Sequence, residues 1–327
     1  MITGVKQRLY AIICKIFISD ETVKELDFSN KLKVYVDLLR PFTLLTPFIV
    51  SISIMIASFF YNKTPGAFTE VFFRMIVPSG FCLAVLNAAS NILNQATDLD
   101  TDKISKPYRP IPRGAISVKR ATTISFLFYG FALGLAFFIN MMFFILVTTI
   151  AIFTISYSLP PRMKDQLFLN QLWVAVPRGL LGIFASWSLF GSLFEPLPIV
   201  IGCMALLFLI GGTITKDITD RDADKSTGTK TLVNTFGIKK AAFMVLPFLF
   251  IPFAFVPLMI NVGMLESYFM ILTLFAIPGY LIFYCMVKDK TRSNLFENTK
   301  AWSLMYFTYL LFAISFSILT VLGSVMG

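Results

Sequence analysis

Residues 82–103 read CLAVLNAASNILNQATDLDTDK, an apolar run that passes without a break into a ladder of side-chain oxygens at Asn94, Asp98, Asp100 and Asp102. At about 100° per residue, Asn94, Asp98 and Asp102 share an arc of about 80° on one helix, and Asp100 points nearly opposite Asp98. A second stretch, Lys216-Asp217-Ile-Thr-Asp220-Arg-Asp222-Ala-Asp224-Lys225, repeats the D-x-D-x-D-K spacing 122 residues later. There Asp217, Asp220 and Asp224 share about 60° of arc and Asp222 faces away. Seven of the 18 acidic residues lie in these two stretches. Two facing acidic ladders repel unless cations bridge them. Hard carboxylate oxygens suit Mg²⁺, which completes its octahedron with water and phosphate oxygens. The pair of ladders therefore points to a Mg²⁺-diphosphate site. An EF-hand Ca²⁺ loop, with its Asp/Gly pattern, is absent.

Each ladder closes a segment of membrane-spanning length. The chain has 327 residues, is 57% hydrophobic and only 14% charged, and has a mean hydropathy of +0.78. Soluble domains carry about a quarter charged residues. A span needs about 20 apolar residues, and nine segments qualify: 42–61, 74–95, 121–139, 141–159, 170–190, 197–215, 241–261, 265–287 and 300–325. The sequence thus predicts an all-α, polytopic membrane helical bundle of nine transmembrane helices over residues 41–327. Residues 1–40 alternate basic and apolar positions and are expected to form an interfacial segment on the membrane surface. The apolar stretch Leu9–Ser19 is interrupted by Lys15 and lacks a small-residue cleavage site, so no cleaved signal peptide is expected.

The net charge of +10 needs no nucleic acid to explain it. Of the 28 Lys and Arg, all except Lys63, Arg74 and Arg178 lie in five segments: 1–40, 103–120, 162–164, 216–240 and 288–300. Nine spans put all five on one membrane face, which the positive-inside rule makes cytoplasmic, with the N-terminus inside and the C-terminus outside. The two acidic stretches are separated by an even number of crossings and meet on that same face. The chain contains no histidine, which excludes a Ser-His-Asp triad and imidazole-based acid–base chemistry. Its four cysteines form no CxxC pair and read as reduced, packed thiols.

Basic groups stand close to the ladders in sequence. Lys106-Pro-Tyr-Arg109-Pro-Ile-Pro-Arg113-Gly114 is an extended loop stiffened by three prolines, and it brings Lys106, Arg109 and Arg113 beside the aspartates as diphosphate partners. Tyr157-Ser-Leu-Pro160-Pro161-Arg162-Met-Lys164 sets Tyr157, Arg162 and Lys164 on a short loop of the same face, and Arg40 precedes Pro41 at the first span. Arg178 lies about 12 Å inside the fifth span by helical rise. An arginine at that depth is costly and expects a partner in a cavity, either an aspartate of one ladder or an anionic substrate group.

These motifs resemble those of the UbiA superfamily of intramembrane prenyltransferases. Asn94-x₃-Asp98-x₃-Asp102 is similar to that family's NxxxDxxxD signature. Asp220-x₃-Asp224, with Asp217 before it, is similar to its DxxxD motif. The Pro-rich loop and the Tyr157-Ser-Leu-Pro-Pro turn match in order and spacing. The resemblance implies helices around a central cavity open to lipid, and an Mg²⁺ cofactor held by Asn94, Asp98, Asp102, Asp217, Asp220 and Asp224. It implies two partners, a prenyl diphosphate and a lipophilic acceptor, with transfer to the acceptor and release of diphosphate. The loop sequences look most like the branch of archaeal digeranylgeranylglyceryl phosphate synthases and chlorophyll synthases. Gln95, Ser105 and Arg113 depart from frequent choices and leave the acceptor open. Geranylgeranylglyceryl phosphate is the expected acceptor, with an aromatic or tetrapyrrole acceptor as the alternative. Asp217 or Asp224 is then the expected base toward a glycerol hydroxyl, and Arg178 or Lys164 the holder of the acceptor phosphate. An ion-coupled transporter predicts carboxylates at the bilayer midplane on broken helices, and a CDP-alcohol phosphotransferase needs a DGxxAR motif absent here.

Overall fold

A computed structural model describes residues 28–288, 292–293 and 298–326. Of the N-terminal segment, residues 1–27 lie outside the described residues. The remainder forms helix α1 (Phe28–Leu39), whose Val34 and Leu38 pack with Ile92 and Ala96. Then follow α2 (Pro41–Tyr61), α3 (Phe68–Thr97), a short α4 (Leu99–Ser105), α5 (Val118–Ile139) and α6 (Met141–Ser158). The second half holds α7 (residues 169–187), α8 (Pro196–Thr227), α9 (Ile238–Asn261), α10 (Ser267–Lys288) and α11 (Lys300–Met326), with a two-residue antiparallel pairing, Arg292–Ser293 with Asn298–Thr299, before α11.

Among the described residues eight of these helices are long and apolar enough to cross a membrane, one fewer than the nine expected. The exception is α7, the expected span 170–190. It is helical over a spanning length, but Asn170, Gln171, Pro177 and Arg178 make it too polar to count. It is also irregular, with Val176–Leu180 wound as a π turn around Pro177, which has no N–H to give to the ladder. Elsewhere helix ends follow local chemistry. Asn140 breaks α5 from α6 because its side-chain oxygen accepts from the N–H groups of Met142 (2.8 Å) and Phe143 (3.1 Å).

The long helices form a closed ring in chain order. Each of α2, α3, α5, α6, α7, α8, α9, α10 and α11 packs against the next, and α11 returns to α2. Where lipid surrounds the protein, helices associate by close packing and interhelical hydrogen bonds rather than by expulsion of water. Ala88, Ala89, Ala132, Ala136, Ala205 and Gly179 supply the close approaches. Ser125 donates to the Ala89 carbonyl (2.7 Å) and Tyr129 to Thr154 Oγ1 (3.0 Å). Outward-facing Phe126, Leu127, Phe131, Phe138, Ile277 and Leu281 are exposed, as a lipid-facing surface requires. At one end α2 and α7 cross the ring and close it, with Ile54, Ala57, Ile183 and Trp187 packed and Ser58 Oγ donating to the Trp187 carbonyl (2.8 Å). The other end, where both acidic stretches emerge, stays open.

Candidate active site

Helix α3 ends at Thr97, and Asp98 (φ −105°, ψ 18°) steps the chain into α4. The step is slight: Asp98 N donates to Asn94 O (3.0 Å) and Asp102 N to Asp98 O (2.8 Å). The ladder therefore keeps one face, and Asn94 Nδ2 donates to Asp98 Oδ2 at 2.8 Å. Helix α8 tightens through a 3₁₀ turn at Thr213–Lys216 and carries Asp217, Asp220 and Asp224 on its last turns. Those turns pack against α4, where the Thr101 and Thr227 hydroxyls lie 3.4 Å apart. The two acidic segments thus meet as their spacing predicts. Asp100 and Asp222 are exposed on the opposite faces.

Basic side chains from the loops fill the space between the ladders. Lys106 is ion-paired with Asp220. Arg109 Nη1 bonds both oxygens of Asp102, at 2.8 and 3.0 Å. Lys164 pairs with Asp98, which also takes Arg162 Nη2 at 3.2 Å. Lys216 donates to the Tyr157 hydroxyl at 2.6 Å. Burial pushes the Lys106 ammonium down from its usual pKa while Asp220 pulls it back. Burial likewise lowers Lys164, to about 8, against Asp165. Desolvation is the larger effect for both amines, so an anion arriving beside them favours their charged forms. Arg113, expected with Lys106 and Arg109, instead turns away to Asp37 (3.4 Å) and fastens the proline loop to α1.

A cavity of about 1230 Å³, its mouth included, opens between the ladders. It is lined by Arg40, Asn94, Asp98, Asp102, Lys106, Arg109, Tyr157, Lys164, Arg178, Asp217, Asp220 and Asp224. Of the basic residues expected at the site, Arg162 and Arg113 lie off its wall, the first behind Asp98 and the second turned to Asp37. A second, apolar chamber of about 1100 Å³, its open space included, continues inward between Pro47, Val50, Leu83, Ile150, Leu209 and Met305. Thr43, Thr154, Pro177, Arg178, Lys216 and Trp302 line both chambers and mark the junction. Across it Trp302 stacks on Tyr306 (5.1 Å between centroids), which stacks on Phe42 (5.0 Å).

Some of this wall escaped the sequence reading. Lys216 lies in the second acidic stretch, where its charge reads as one more of the basic residues that set topology. Asn91, Asn170 and Lys216 all line the polar chamber, and the rule that singled out Arg178, polarity inside an apolar span, applies to both asparagines. Asp217 Oδ2 and Asn170 Oδ1 are buried without a hydrogen-bond donor, an arrangement that suits a cation. As they stand, no three acidic side chains among the described residues converge on one point to hold a metal ion, because Lys106, Arg109 and Lys164 hold the carboxylates.

The sequence pattern of the UbiA prenyltransferase family matches residues 44–311. The chain belongs to that family. This prenyltransferase is 30% identical over 213 residues to the digeranylgeranylglyceryl phosphate synthase of Methanosphaera stadtmanae, covering 64% of this chain and 71% of that one. It is 28% identical to the Thermococcus sibiricus protein of the same name, over 74% and 82% of the two chains. Among solved structures, a UbiA homologue from Archaeoglobus fulgidus bound to GPP and Mg²⁺ superposes with a TM-score of 0.65 at 19% identity, over 88% of this chain and 99% of the other. A structure of digeranylgeranylglyceryl phosphate synthase gives 0.61 at 21% identity, over 91% and 100%. At such identities the likeness speaks for the fold. With family and fold in hand, the transporter and phosphotransferase alternatives fall away.

Proposed function

We propose that this prenyltransferase moves a geranylgeranyl group from its diphosphate to geranylgeranylglyceryl phosphate, using Mg²⁺ held between the two acidic segments. The observation that carries the reading is the pair of joined chambers, one walled by carboxylates and amines, the other by apolar side chains. A molecule with an anionic head and a long apolar tail fits across that junction. The names of the relatives supply the acceptor, and the ligands of the Archaeoglobus homologue agree with the donor head and the ion. Asn94, Asp98, Asp102, Asp217, Asp220 and Asp224 offer hard oxygen donors, including the orphaned Asp217 Oδ2, so their chemistry fits Mg²⁺. The ion, when bound, neutralises charge on the diphosphate as its bond to carbon breaks.

The amines that now neutralise the aspartates exchange partners when substrate enters. Lys106, Arg109 and Lys164 leave the carboxylates to the cation and turn to the diphosphate oxygens. Tyr157, with Lys216 and Arg40, bounds the same head group. The C1–O bond of the donor then breaks with its electron pair leaving on diphosphate. The glycerol hydroxyl oxygen bonds to C1, and its proton passes to Asp217 or Asp224. Residues 41–327 form the catalytic unit and residues 1–40 an interfacial segment, with the N-terminus and the site's mouth on the cytoplasmic side, on the strength of the basic loops that flank it. The test supplies labelled geranylgeranyl diphosphate with glyceryl phosphate, hydroxybenzoate and chlorophyllide acceptors in parallel. Product is expected with the glyceryl phosphate acceptor alone, and is expected to vanish when a chelator removes the ion. Product only with an aromatic or tetrapyrrole acceptor overturns the lipid reading.

A further inference from the structure

Arg178 stands apart from the other cations of the site. Among the described residues it forms no ion pair within 4 Å, whereas Lys106, Arg109 and Lys164 each hold an aspartate. It is enclosed by helices, yet its side chain is exposed, because the enclosure is the cavity itself. Its α-carbon lies nine residues into α7, roughly 13 Å below the start of that helix. It therefore projects from the floor of the polar chamber rather than from its rim. The side chains of Tyr157, Tyr306 and Tyr309 line the two chambers that it borders. Its backbone is fixed as well: the carbonyl accepts from the Tyr309 hydroxyl at 2.9 Å, and it sits in the π turn formed around Pro177. An uncompensated arginine at this depth is costly unless an anion joins it.

Both substrates of the proposed reaction carry an anionic head on an apolar tail, so the cavity needs two anion sites. The donor head belongs with the metal and the amines that can leave Asp98, Asp102 and Asp220. The acceptor must bring its hydroxyl to C1 of the donor, one bond from the diphosphate and hence at the junction of the chambers. Its phosphate, on the neighbouring glycerol carbon, then lies a few bonds away along the same junction. Arg178 is the cation that stands at that junction with no carboxylate to leave.

We propose that Arg178 binds the phosphate of the acceptor and so selects an anionic glycerol lipid over a neutral one. The inference rests on the acceptor proposed above. It deepens that reading by separating the two anion sites and assigning Arg178 to the acceptor and not to the diphosphate. A guanidinium suits this role because it grips phosphate oxygens in pairs and stays charged.

The test compares the wild-type enzyme with Arg178→Gln and Arg178→Lys, measuring KM separately for geranylgeranyl diphosphate and for geranylgeranylglyceryl phosphate. The uncharged alcohol geranylgeranylglycerol serves as a third substrate. Arg178→Gln is expected to raise the acceptor KM at least tenfold and to leave the donor KM within twofold. Arg178→Lys should recover most of the loss. Geranylgeranylglycerol should be a poor acceptor for the wild type and no poorer for Arg178→Gln. Gel filtration of each variant shows that it is folded, as expected for a side chain pointing into a cavity. An unchanged acceptor KM in Arg178→Gln, with the wild type active, overturns this assignment alone. A donor KM that rises in parallel assigns Arg178 to the diphosphate and also overturns it. A wild type inactive toward the glyceryl phosphate overturns the acceptor reading and this inference together.

Discussion

Single carboxylates differ in fate according to which side of one helical turn they occupy. Asp98 and Asp220 face the cavity and hold Lys164 and Lys106. Asp100, two residues from Asp98, makes only a 3.4 Å surface contact with Lys103, its side chain 87% exposed. An exposed pair of that kind contributes about 0–1 kcal/mol. Asp98→Asn and Asp220→Asn are therefore expected to lower kcat/KM by at least about a hundredfold, some 2.7 kcal/mol of transition-state stabilisation, while Asp100→Asn and Asp222→Asn stay within about threefold of wild type. Steady-state kinetics on all four variants, with gel filtration to count folded enzyme, tests this, and equal effects at all four positions would refute the facing-ladder arrangement. This division was legible in the sequence, because a 100° rotation per residue is enough to sort the aspartates. The partners were less legible. Lys106, Arg109 and Arg113 share one loop and one charge, yet Arg113 reaches Asp37 instead, and nothing in the loop's spacing encodes a contact with α1.

Among the elements, α7 departs furthest from an ideal span, and its irregularities serve the site. Span limits elsewhere followed from apolar length: 42–61 became Pro41–Tyr61, 141–159 became Met141–Ser158, and 300–325 became Lys300–Met326. In α7 the apolar run is interrupted because the helix lines the cavity with Asn170, Trp173, Val174, Pro177 and Arg178. Polar positions inside a span record function, and hydropathy registers them only as weakness. Just beside Arg178, Gly179 lets α7 lie against α8. A Cβ there would stand 2.8 Å from Leu206 N and 2.9 Å from Leu206 Cα, both backbone atoms unable to move aside. Gly179→Ala is therefore expected to force the helices apart at a cost of about 1–3 kcal/mol, the usual penalty of overpacking. The displaced turn carries Arg178 with it. Thermal unfolding in detergent should show a lowered Tm, and the acceptor KM should rise more than the donor KM. A variant with wild-type Tm and wild-type acceptor KM would mean that the two helices yield at this contact without cost.

At the scale of the whole molecule, the ring of helices has one closed and one open end, and the basic loops gather at the open one. The closed end carries Asn62 after α2, Glu195 before α8 and Glu266 before α10. The open end carries the proline loop after α4, the Lys164 turn and the basic end of α8. The distribution of Lys and Arg across short loops sets orientation through the positive-inside bias, and here the basic loops are the same loops that neutralise the aspartates. On the proposed orientation one set of charges both orients the protein and lines its site, so a topology measurement tests both. Single cysteines placed near Asn62, Glu195 and Glu266 are expected to react with a membrane-impermeant maleimide added to intact cells. Cysteines near Lys106 and Lys225 should react only after the membrane is opened. The polar end of α7 joins these groups: a cysteine near Gln166 should follow Lys106 while one near Ser192 follows Asn62, only if the polar seventh helix crosses the bilayer. That pair carries the weight of the experiment, because among the described long helices of the ring α7 is the one that lacks the composition of a span. Labelling of Gln166 and Ser192 from the same side would leave eight crossings, put the two acidic ladders on opposite faces, and break the site apart.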